Sequence, residues 1–201
     1  MKARSERRNA SAGVALVVVM VVLVIVSVLG IGSVQLSTMT GRGARNDRDT
    51  QLAMQSAQAS LRDAIVDIDG PPGASTRALV FSNGNRLDFE SGCAGTGIRK
   101  GLCAQVPTGK PAWLAVDLAD ASRTAAFGDF TGRSYASASG DEHGLMPAAL
   151  PRYVVEAIED KAMFRDLSRP PGVVYRVTGI GFGPRRDIQA VVQMLYRKKK
   201  D

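Results

Sequence analysis

An unbroken apolar run, residues 14–32, limits what this chain can fold into more than any other feature. It reads VALVVVMVVLVIVSVLGIG, with no charge and with Ser27 as its only polar side chain. As a helix it extends about 28 Å, close to the roughly 30 Å hydrocarbon core of a bilayer. Valine dominates it, and valine is a poor helix former in water. In lipid that weakness matters little, because a helix is the one single-segment structure that satisfies its own backbone hydrogen bonds. The run reads as a membrane span. Lys2, Arg4, Arg7 and Arg8 precede it against one acid, Glu6, and such a cluster holds an N-terminus in the cytoplasm. A cleaved secretory signal has a similar start, but its apolar region covers about 7–15 residues and ends at a small-x-small site. Here the run is longer, and the polar segment after it returns to a helical period.

The 201 residues leave room for the span and one modest domain of about 130 residues. A net charge of +7 invites a nucleic-acid reading. Most of that charge sits at the two ends, in the leader and in Arg197, Lys198, Lys199 and Lys200, and the interior is close to neutral. A topology signal and a solvated tail account for it, and no nucleic-acid partner is expected.

Cys93 and Cys103 are the only cysteines, in the glycine-rich stretch SGCAGTGIRKGLC beyond the span. An even count on the non-cytoplasmic side favours a disulfide, worth on the order of 2–3 kcal/mol in the chain-entropy picture. A metal site would want two more ligands nearby, and the only histidine, His143, lies far along the chain. No metal and no cofactor are expected.

Residues 33–45 are polar, with Gly41 and Gly43 as points that could weaken or bend a helix. From Asp47 the helical period returns: Ala53, Ala57, Leu61, Ala64 and Ile68 share a stripe, with Gln51, Gln55, Gln58, Arg62 and Asp63 mostly off it. Gly70, Pro71, Pro72 and Gly73 stop it. Residues 14–69 thus read as one long helix, apolar in its first half and amphipathic in its second, its alanine-rich stripe suited to close packing on a sheet. Further on, 78–81 and 86–89 read as the arms of a hairpin turning at 82–85. Residues 113–116 read as short extended structure and 120–141 as a surface loop. The clearest strands are 153–158, 173–180 and 187–196, the last with Ile188, Ala190, Val192, Met194 and Tyr196 on one face. The expected fold is α+β, a long N-terminal helix packed on a C-terminal antiparallel sheet.

Little here suggests catalysis. Gly179, Gly181 and Gly183 in GIGFGPRRD mimic a nucleotide loop, but no lysine follows at Walker spacing and no helix follows the glycines; a glycine-rich hairpin turn is the expectation. Ser134, Ser137, Ser139, Asp141 and His143 lack the strand-to-helix elbow a hydrolase nucleophile needs. Asp141 and Glu142 read as a solvated turn rather than a cation site.

Three segments carry a family resemblance: GVALVVVMVVLVIVSVLGIGSVQLSTMT, then NDRDTQLAMQSAQASLRDA, and the terminal pair YRVTGIGFG and AVVQMLYR. Together they resemble the PilX-type minor pilins of Gram-negative bacteria, within the type IV pilin-like superfamily. The resemblance implies a leader, 1–13, cut by a prepilin peptidase after Gly13, with methylation of the new N-terminal residue, Val14. It implies a pilus-core helix over 14–36, an amphipathic continuation over 37–69 and a β-rich headgroup over 70–201. The glutamate that major pilins carry at the fifth mature position is replaced here by Val18. The implied role is structural, without enzymatic activity: a subunit that helps initiate or modify pilus assembly. Implied partners are other minor pilins, the major pilin, the peptidase, the inner-membrane assembly platform and the membrane itself. The implied location is the inner membrane with the headgroup periplasmic, then the pilus, at its tip. A minor pseudopilin of a type II secretion system shares the helix and the cleavage, though tip members lacking the glutamate tend to be larger. A membrane-anchored periplasmic enzyme or binding protein would need a pocket constellation.

Overall fold

A computed structural model describes residues 6–82, 86–135, 146–160 and 172–198, the side chains of 6–12 and 32–38 excepted. One helix, α1, runs over Glu6–Asp69. The chain divides into two compact units, Met1–Asp47 and Arg48–Asp201. In the first, the helix continues through Gly30, Gly41 and Gly43. A side chain at any of the three would meet nothing within 4 Å.

The second unit contains the rest of α1 and a five-stranded sheet. Its elements are α2 (Ala78–Ser82), β1 (Leu102–Ala104), α3 (Ala112–Ala115), β2 (Ala125–Ala126), β3 (Arg152–Glu159), β4 (Val173–Phe182) and β5 (Gln189–Tyr196). The strand order is β1-β3-β4-β5, with β2 also on β3. The three long strands are antiparallel, as the sequence suggests. The sheet as a whole is mixed, because β1 pairs parallel to β3, Leu102 opposite Val155. A parallel pair requires a long crossover, and the chain between β1 and β3, through α3 and β2, supplies one.

The alanine stripe seats α1 on this sheet. Ala53, Ala57, Ser60, Ala64 and Ile68 are all buried. Opposite them stand two glycines of β4. A Cβ at Gly181 would lie 2.0 Å from Ala57 N and 2.3 Å from Ala53 O, and one at Gly179 would lie 2.1 Å from Ser60 Oγ. These glycines sit inside a strand, not in the hairpin turn expected of them; the turn begins after Gly183, whose N–H donates to Ile188 O at 2.8 Å. Glycine on the strand and alanine on the helix leave little side chain between them and let backbone approach backbone. Around this contact the core gathers Ile68, Phe81, Phe89, Leu102, Tyr153 and Val177. The opposite face of the sheet has a second core, where Val154, Ile180 and Phe182 pack with Cys93, Cys103 and Val116.

Three local expectations fail. Residues 78–81 form the helical turn α2 rather than a hairpin arm, with Val80 and Phe81 both buried. Phe81 meets Tyr175 edge-on at 5.3 Å and Phe89 at 6.4 Å. Residues 86–89 form no strand, and the turn at 83–85 lies outside the described residues. Residues 113–116 belong mostly to the helical turn α3, entered from Pro111. The stretch from 120 is not all surface: β2 pairs with β3 there, and Thr124, Phe127 and Phe130 are buried. Ser137, Ser139, Asp141, Glu142, His143, Lys199 and Lys200 lie outside the described residues.

Candidate assembly interface

In the first unit, Gly13–Ile31 has a mean hydropathy of 3.4 and none of it is buried. Each large apolar side chain from Val14 to Ile31 is more than half exposed. The one polar side chain in the run is satisfied within the helix, Ser27 Oγ donating to Leu23 O at 2.7 Å. The segment therefore presents apolar surface all round, as a helix facing lipid or neighbouring helices must. Gly13 and Val14 stand at its start, and Val18 is exposed one turn further on, an aliphatic side chain with no carboxylate to offer.

In the second unit, acids on α1 bind the headgroup to the helix. Asp67 is fully buried and accepts from Ser75 Oγ at 2.6 Å, Arg77 Nε at 2.8 Å and the Tyr153 hydroxyl at 2.8 Å. Arg77 Nη2 also pairs with it. The buried guanidinium lies 3.7 Å over the Phe130 ring, and Nη1 donates to Lys100 O at 2.6 Å. Removing water strengthens each of these bonds and makes an unmatched partner costly. One turn back, buried Asp63 accepts from Gly128 N at 2.9 Å and Thr131 Oγ1 at 2.6 Å. Near the helix end the Tyr196 hydroxyl donates to Asp69 at 2.7 Å. Burial, then the charge of Asp67, push the Tyr153 hydroxyl well above its ordinary value. Burial and the bond to Asp69 push Tyr196 up to about 12.

On the other face of the sheet, Cys93 and Cys103 are joined in a disulfide, both fully buried. The bond ties the turn Ser91–Cys93 to β1. Nearby, buried Glu156 accepts from Arg176 Nε at 2.7 Å and from the Ala112 N–H at 3.1 Å, which fixes the start of α3. The charged groups that hold this headgroup together were not evident as a site in the sequence. The available signal was Asp63 and Asp67, four apart and adjoining the buried Ala64 and Ile68. Every one of these groups bridges chain segments, which suits a rigid body rather than a reacting centre. Among the described residues, no three metal-ligating side chains cluster.

An exposed apolar helical segment, a long helix and a mixed sheet under its continuation make this a pilin-like α+β protein. Residues 99–198 match the family model described as Type IV pilus assembly protein PilX C-term, and residues 12–62 match the PilX N-terminal model. The chain belongs to the PilX family of type IV pilus minor pilins. No curated protein and no solved structure matches it.

Proposed function

We propose that this minor pilin helps to initiate type IV pilus assembly, and that it does so by helix packing alone. The observation that carries the reading is the apolar surface of Gly13–Ile31, exposed all round. Cleavage after Gly13 removes the charged leader, 1–13, and frees a helix starting at Val14. That helix can leave the bilayer only by burying itself against other pilin helices. Gly13 fits this role because a residue without a side chain leaves the backbone before the scissile bond unencumbered for the peptidase. Partners in this reading are the other minor pilins, the major pilin and the assembly platform of the inner membrane, with the headgroup periplasmic before assembly.

Val18 sets the position. A glutamate at this place in an incoming subunit neutralises the terminal amine of the subunit above, since an unpaired ammonium in an apolar core is costly. Val18 offers no carboxylate, yet the amine of Val14 can still be neutralised from below. A subunit with nothing above it can best omit the acid, so the chain belongs at or near the tip. Gold labelling of sheared pili tests this: label concentrated at one end supports it, and uniform label along the shaft overturns it. In a strain carrying Val18→Glu, label should spread into the shaft.

A further inference from the structure

Between Val14 and Asn46 the only charged side chains are Arg42 and Arg45, and the first acid after the leader is Asp47. Both arginines are exposed, and both lie on the same helix and in the same unit as the apolar segment. Side chains three and four residues apart are neighbours on a helix. Those around Arg42 are Thr38, Met39, Arg45 and Asn46, so its own helix offers no acid there, and Arg45 repels it. Asp47 stands two residues after Arg45, a spacing that does not face it, and about 140° round the helix from Arg42. Asp49, four residues after Arg45, is half-buried and acts on Arg185 of the headgroup. Arg48 adds a third positive charge against these two acids, so the stretch stays positive.

The apolar segment sets where these charges lie. Gly13–Ile31 is about as long as a hydrocarbon core is thick, which puts the lipid headgroups at the residues that follow. Residues 32–40, GSVQLSTMT, are uncharged and rich in hydroxyls. The Cα of Arg42 lies about 13 Å along the helix from Ser33. A headgroup layer is about 6 Å thick, which leaves about 7 Å, the reach of an extended arginine side chain. The direction is favourable, because Cα–Cβ bonds tilt toward a helix N-terminus, here toward the membrane. Tilting of the span shortens the gap further. Arg45, one turn higher, adds to the field that draws an anionic phosphate.

We propose that Arg42 and Arg45 bind the phosphates of anionic phospholipids in the leaflet opposite the leader, and so hold the subunit in the bilayer until it assembles. The proposal rests on reading residues 14–32 as a membrane span: leaving the bilayer then breaks these contacts as well as burying the span. The test uses the full-length protein, isotope-labelled at arginine Cζ, in bilayers of phosphatidylcholine mixed with phosphatidylglycerol. Subtracting the spectrum of the variant Arg42→Gln with Arg45→Gln leaves only the signal of these two guanidinium carbons. Both positions are exposed and glutamine is a good helix former, so the variant should keep the wild-type circular dichroism spectrum. In solid-state NMR, lipid phosphorus should dephase the remaining signal, which requires direct proximity. In phosphatidylcholine alone the dephasing should weaken about twofold or more. No dephasing, or equal dephasing in phosphatidylcholine alone, overturns the proposal. So does contact of the same carbons with aspartate carboxyls in place of phosphorus, because acids of the protein would then hold the pair. Protein that an alkaline wash strips from the bilayers would overturn the span itself, and this proposal with it.

Discussion

Gly181→Ala measures how closely α1 lies on the sheet. The added Cβ would sit 2.0 Å from Ala57 N, 2.3 Å from Ala53 O and 2.7 Å from Ala57 Cα, all backbone of the helix. Carbon–carbon contacts are comfortable at about 3.5 Å, so helix and strand must separate by more than an ångström. No rotamer change can relieve the clash. Overpacking of a well-filled contact costs about 1–3 kcal/mol, and a backbone-on-backbone clash belongs at the upper end, about 3 kcal/mol. Gly179→Ala should cost less, because its nearest contact is the Ser60 hydroxyl, which can swing away at the loss of its 2.7 Å bond to Ala57 O. Trp113, the one tryptophan, lies in α3 of the headgroup and reports its unfolding. In urea titrations of the full-length protein in detergent, both midpoints should fall at unchanged slope, that of Gly181→Ala further. A Gly181→Ala midpoint equal to wild type would refute the close contact of helix and sheet.

Three other expectations follow from the headgroup. Asp67→Asn leaves the Arg77 guanidinium buried without its counter-charge and should destabilise by about 3–5 kcal/mol in the same titration. Tyr153 and Tyr196 have folded pKa values raised above the ordinary 10.0, Tyr196 to about 12. The folded state therefore keeps protons that the unfolded state has lost, so their contribution is intact below pH 10 and declines as pH rises through about 12. Tyrosinate absorbance should show these two side chains, with Tyr175, whose value burial also raises, ionising last, together with unfolding. Replacing Cys93 and Cys103 together by serine should lower stability by about 2–3 kcal/mol, and thiol labelling of the unreduced, denatured wild type should modify neither cysteine.

The sequence shows the elements whose burial is periodic. Ala53, Ala57, Ala64 and Ile68 recur at helical spacing, and Ala190, Val192, Met194 and Tyr196 alternate, so α1 and β5 are legible without a structure. Elements held by distant contacts are not. Phe81 forms part of a helical turn because Tyr175 and Phe89 surround it, and neither neighbour is local. Gly179 and Gly181 suggest a turn until their spacing of two is set on the same face as Tyr175 and Val177, opposite a helix made of alanine. Arg77 has no local pattern at all: its partners are Asp67, ten residues before it, and the carbonyl of Lys100, twenty-three residues after it. The parallel pairing of β1 is likewise set by long-range contacts around the disulfide.

The mass of this chain in purified pili tests the central claim most directly. The account predicts a polypeptide that begins at Val14, lacks residues 1–13 and carries one added methyl group. A chain that still begins at Met1, or pili from which the chain is absent, would contradict it.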